Sequence, residues 1–151
     1  NDPMIKDPIA LTDIQSQWNG VRQLQQLIQT NTTFGFASGG ITITNLSRLA
    51  HNLPLLHACA VLNDVLLQLR DESEFACQSV FLGALHKASK TALPWVNWAL
   101  IENVIDSRNR LAHDALVVPI NDCLRYVDAI EQELIAWKII KESTDFMPGS
   151  K

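Results

Sequence analysis

The chain has 151 residues, enough for one helical domain with a real core and short for two. Hydrophobic residues make up 47% and charged ones 19%, which excludes a disordered tail. The formal net charge of -4 argues against gripping nucleic acid by bulk charge but leaves room for a local basic cleft. Cys59, Cys77 and Cys123 are widely spaced and odd in number, so they read as small buried groups in a reducing compartment. No signal-peptide pattern opens the chain. The most apolar run, 53–69, carries His57, Asn63 and Asp64, so it is expected to be a core helix rather than a membrane span. A cytoplasmic location and no membrane partner follow as expectations.

Residues 1–10 contain two Asp-Pro pairs and read as an extended lead-in. Thr12 to Gln15 fits a capping box, after which Ile14, Trp18, Val21, Leu24 and Ile28 mark the core face of a first helix. Residues 30–44 are the least helical part. Gly35, Gly39 and Gly40 lie there without the spacing of a phosphate-binding loop, and a plain loop is expected. A short helix is expected over 45–51.

Asn52 can cap the next helix, about 53–70, which is apolar nearly all round and therefore central. Asp64 within it either pairs with Arg108 or points outward along a polar strip with Asn63 and His57. A helix over 75–89 is expected to turn Val80, Phe81, Ala84, Leu85 and Ala88 inward. A last helix, about 121–140, shows Leu124, Val127, Ile130, Leu134 and Trp137 at helical spacing, with Glu131, Glu133 and Lys138 facing water. The tail from 142 onward has little to pack. Long amphipathic helices with short connections indicate an all-α antiparallel bundle of four to five main helices.

Between those two helices lies the informative stretch, 95–114, opened by Pro94. Trp98, Ile101, Ile105 and Ala112 recur at helical spacing, and Arg108 fills the gap in that stripe. A guanidinium on an inward face needs a reason, because burying it unpaired is costly. The bland reason is a stem lying along apolar surface with its head in solvent or on a carboxylate. Yet Asn109, Arg110, His113 and Asp114 crowd the same end. RLAH also occurs at 48–51, but only the second copy has an arginine five residues before its histidine, since position 46 is leucine.

Arg108-Asn109-Arg110-Leu111-Ala112-His113 matches R-x4-H with a polar residue after the arginine. On this hexapeptide, its place in the penultimate long helix and the all-α architecture, the chain resembles the HEPN domain family (higher eukaryotes and prokaryotes nucleotide-binding). Many members of that family are metal-independent ribonucleases. The resemblance does not extend over 1–44. It implies Arg108, His113 and Asn109 as catalytic residues and Arg110 against substrate; Asp64, where it pairs with Arg108, would support them. It further implies an RNA substrate, a homodimer, no cofactor, a toxin–antitoxin or phage-defence setting and a nucleotidyltransferase-type antitoxin. The residue types suit the chemistry. A histidine can take and return a proton near neutral pH, and an arginine presents a planar fork to phosphate oxygens. His113 also has a plain reading as a C-terminal histidine favoured by the helix dipole. His51, His57 and His86 lack metal-ligand spacing, and the four tryptophans read as core anchors. The alternative to an enzyme is a non-catalytic dimerisation module with Arg108 tied to Asp64 or Asp106.

Overall fold

An Asp-Pro pair starts the first helix rather than preceding it. Asp7 accepts the Ile9 N–H at 3.0 Å, and Pro8 stands in the first turn, where its missing donor costs nothing. The computed structural model describes residues 2–37 and 50–142. Helix α1 spans Pro8–Ala37, so it begins four residues before the Thr12 capping box and runs into the stretch expected to be loop. The rest of that stretch and most of the short helix expected over 45–51 lie outside the described residues. So does the tail beyond 142.

Four more helices follow: α2 (Asn52–Asp71), α3 (Leu82–Ala88), α4 (Trp98–Asp114) and α5 (Ile120–Ala136). Among the described residues there is no strand. α2 is the hub. Leu55, Val61, Leu62, Val65, Leu66 and Leu69 are fully buried, and all four other helices pack against it. By length and composition alone α2 could cross a membrane, and here it is the core helix. The Gly20 backbone lies against His57, and the N–H groups of Lys6 and Asp7 reach Glu72, so α1 runs antiparallel to α2. Asn52 does not cap its own helix. Its side chain grips Val118 instead, accepting the N–H at 2.8 Å and donating to the carbonyl at 3.1 Å. That clasp places the end of α4 beside the start of α2, again antiparallel.

Two expectations on the helical faces are corrected. The helix expected over 75–89 forms only from Leu82. Arg70 Nη1 donates to the carbonyls of Cys77 and Ser79, and Ser79 Oγ takes the Phe81 N–H, so these groups bond outside any helical ladder. Val80 and Phe81 are left exposed, and Leu82, Leu85 and His86 are buried. Lys138 is exposed as expected, but Glu131 and Glu133 do not face water. Glu131 accepts from Trp18 Nε1 and Arg22, which also pairs with Asp128, strapping α5 to α1. Burial pushes the Glu131 carboxyl up, but the bonds from Arg22 and Trp18 outweigh it and hold it below its ordinary value.

Glu133 is 1% exposed and caps the start of α4 from α5. Its two oxygens accept the N–H groups of Val96 at 2.7 Å and Asn97 at 2.8 Å. This explains why α4 starts at Trp98 and not at Trp95: Asn97 becomes the N-cap, accepting from Leu100 N. Glu133→Ala should lower the unfolding free energy by roughly 1.5–3 kcal/mol, the range for hydrogen bonds to a charged group. A urea titration that moves by less than about 0.5 kcal/mol, the ordinary surface range, would show the cap to be idle.

His86 is buried among tryptophans. It stacks on Trp98 at 4.3 Å, meets Trp95 edge-on at 5.0 Å, and its Nε2 bonds to the Trp98 carbonyl at 3.1 Å. Only an Nε2–H can donate to a carbonyl, so the neutral Nε2–H tautomer follows. Burial drives its pKa down to about 4. The unfolded chain therefore binds this proton first, and stability falls as pH drops from about 6.5 toward the folded value. The expected loss is on the order of 3 kcal/mol. Urea titrations between pH 7 and 4.5 should show the slope in the native chain and its disappearance in His86→Phe.

Candidate functional site

α4 carries the R-x4-H residues on an unbroken helix. It runs through Asp114 and stops at Ala115, whose left-handed backbone (φ 55°) turns the following Leu116 N–H back to the Arg110 carbonyl. The final turn does not unwind. Five residues at about 100° each leave Arg108 and His113 about 140° apart around the axis. One chain cannot bring both to a single phosphate.

Arg108 faces α2. Its Nε is buried without a hydrogen-bond partner, and no ion pair to the guanidinium is formed among the described residues. It lies close enough to Cys59 to act on its thiol. Burial lifts Cys59 to about 12 while the Arg108 charge pulls the other way, so Cys59 stays a neutral, inert group. Asn63 stands one turn along α2 from Cys59, and its Oδ1 is likewise buried without a partner. Each such atom costs about 1–3 kcal/mol of lost hydration. Neither orphan could be read from the sequence, which showed Asn63 only as part of a polar strip.

Of the two orientations open to Asp64, the outward one forms, so the support expected from a pair with Arg108 is corrected. Asp64 is exposed, and no ion pair joins it to Arg108; Asp106 makes none either. The helical phase explains it. Asp64 follows Asn63 by about 100° and points away from α4, whereas Cys59 and Asn63 share the facing surface. Asn109 is half-buried, and Arg110 and His113 are exposed. His113 forms no hydrogen bond to the last carbonyls among the described residues, and the Arg110 carbonyl already accepts the Leu116 N–H. The structure thus turns Arg108 inward and His113 outward at the same end of α4.

Beyond His113 the connection to α5 is pinned by Asn52, and Cys123 Sγ adds a 3.6 Å contact to the Val118 carbonyl. On either side of this clasp Leu53, Leu116 and Val117 are about half exposed, an apolar margin directly next to the motif's end. A cavity of about 940 Å³ lies elsewhere, between α1 and the end of α5, lined by Trp18, Arg22 and Glu131. Trp18, Arg22 and Glu131 already hydrogen-bond to one another there. Among the described residues no three His, Cys, Asp or Glu side chains come together as a metal-holding group. The cysteines are free.

The chain matches no protein-family model, no curated protein and no solved structure.

Proposed function

We propose that the chain is a HEPN-like, metal-independent endoribonuclease that works as a homodimer. The observation that carries this reading is Arg108: a half-buried cation on the motif face of α4 whose Nε is buried without an acceptor and which forms no ion pair among the described residues. A phosphate is the anion that such a planar fork fits best, and bringing one to it would supply the missing acceptor.

The separation of about 140° on an intact helix supports a site built from two copies. Arg108 of one copy and His113 of a second would meet across a two-fold axis at this end of α4, giving two equivalent sites. Leu53, Leu116 and Val117 supply apolar surface for that contact. In each site His113 takes the proton from a 2′-hydroxyl as its oxygen attacks the adjacent phosphorus. The 5′-oxygen departs with a proton returned to it, leaving a 2′,3′-cyclic phosphate and a 5′-hydroxyl. Arg108 stabilises the negative charge that builds on the phosphoryl oxygens. Asn109 hydrogen-bonds the phosphate or orients the histidine, and Arg110 binds the flanking backbone. This reaction calls on no cofactor. A toxin–antitoxin or phage-defence role in the cytoplasm, with a nucleotidyltransferase-type antitoxin masking the cleft, fits an enzyme of this kind.

The competing interaction module was framed with Arg108 in an ion pair to Asp64 or Asp106, and neither pair is formed among the described residues. The test is incubation of total RNA with the protein in EDTA, mapping the ends produced. Cyclic-phosphate and 5′-hydroxyl ends are expected. Intact RNA at stoichiometric protein would leave only a helical bundle.

A further inference from the structure

Two side-chain atoms among the described residues are covered from solvent without a hydrogen-bond partner: Arg108 Nε on α4 and Asn63 Oδ1 on α2. One is a donor and the other an acceptor. Such atoms are few in folded chains, and a complementary pair on two packed helices calls for a reason.

The helices bring them to one place. α2 and α4 pack together and run antiparallel, fixed by the Asn52 clasp on Val118. Arg108 lies close enough to Cys59 for its charge to act on that thiol, and Asn63 is one turn further along α2. Side chains on a helix lean toward its own N-terminus. In an antiparallel pair this leans Arg108 from the level of Cys59 toward Asn63, and Asn63 back toward Cys59. Donor and acceptor are aimed at each other across the α2–α4 contact, and no hydrogen bond joins them.

We propose that Asn63 is a positioning residue for Arg108, its Oδ1 accepting a guanidinium N–H when the fork turns to a phosphate and so fixing the plane of that fork; this rests on the ribonuclease reading above. Arg108 Nε is covered as it stands, so a phosphate meets it only after the guanidinium turns outward. The turned fork offers Nε and one terminal nitrogen to the phosphate oxygens. Its other terminal nitrogen trails toward α2, where Asn63 Oδ1 has no other partner. Both orphans are satisfied in that state and neither is in the free one, so substrate favours the turn. An arginine held by its stem alone would lose part of the preorganisation that charge stabilisation needs.

The experiment measures RNA cleavage in EDTA by the full chain, by Asn63→Leu and Asn63→Asp, and by Asn63→Leu combined with Arg108→Met. Asn63→Leu keeps the volume and removes the acceptor. It is expected to lower kcat roughly 10- to 100-fold, from the range for a hydrogen bond to a charged group. Asn63→Asp keeps an oxygen in the same place and should recover most of kcat. With Arg108→Met present, Asn63→Leu should change nothing further, because the group it positions is gone. A native kcat in Asn63→Leu, or the same loss in both backgrounds, overturns the inference and leaves the nuclease reading intact. If the native chain leaves RNA uncut, that reading fails and binding of a 2′-O-methyl oligoribonucleotide decides. Weaker binding by Asn63→Leu that vanishes in the Arg108→Met background upholds the positioning role, and an equal Kd overturns it. A native chain that does not bind the strand at all overturns both.

Discussion

Arg108→Met should lower RNA cleavage by roughly 10²- to 10³-fold, the range for deleting one preorganised electrostatic contact, while leaving folding stability unchanged or raising it. Both halves come from the same atom. Nε of Arg108 is buried and unpartnered, so the folded chain carries its desolvation without a compensating bond. Methionine keeps the unbranched stem and replaces the polar head with a thioether that suits the apolar surface beside Cys59. Replacing buried polar groups by apolar ones of similar volume is commonly neutral or favourable. An arginine in a structural ion pair would behave in the opposite way, with about 3–5 kcal/mol lost on breaking the pair. Chemical denaturation and an RNA-cleavage assay on the same preparation separate the two. A large drop in stability with cleavage intact would make Arg108 a structural residue.

His113→Ala should reduce cleavage by about 10²- to 10⁴-fold, the usual contribution of a positioned acid–base group. Its cost to stability should stay within about 1 kcal/mol, because only the helix dipole is lost. The side chain is exposed and bonded to nothing among the described residues. Its helix is terminated by backbone geometry at Ala115, so alanine at 113 leaves α4 in place. His113→Ala that cuts RNA at the native rate would show that the histidine serves only as a C-terminal cation.

The fold was legible where a single period decided the structure. α2 reads as an all-round apolar helix and is the hub, and Val127, Ile130 and Leu134 on α5, with Trp137 just past its end, are buried as their spacing implies. The failures share a cause: polar groups whose partners are distant in sequence. Glu133 looks like a solvated carboxylate until the N–H groups of Val96 and Asn97 are brought to it, thirty-odd positions away. Arg70 takes carbonyls at 77 and 79, and the helix expected from 75 does not form until 82. Asp7-Pro8 reads as extended because prolines break helices, though the same pair is a good start for one. Of the candidate site, the inward Arg108 and the crowded end of α4 were visible from spacing. That it forms no ion pair among the described residues was not, since Asp64 stands at a plausible distance and only helical phase sends it elsewhere. Phe81 reads as a core residue by spacing and is exposed, because the helix that would turn it inward starts only at Leu82.

Convergence of Arg108 and His113 from two different copies is tested most directly by mixing two inactive proteins. Arg108→Met and His113→Ala are co-refolded in equal amounts and assayed on single-stranded RNA in EDTA. Random pairing makes about half the dimers mixed, each with one whole site of two, so roughly a quarter of the native rate should return. Mixed dimers that form, as shown by differently tagged subunits purifying together, and yet cut no faster than either variant alone would contradict a site shared between chains.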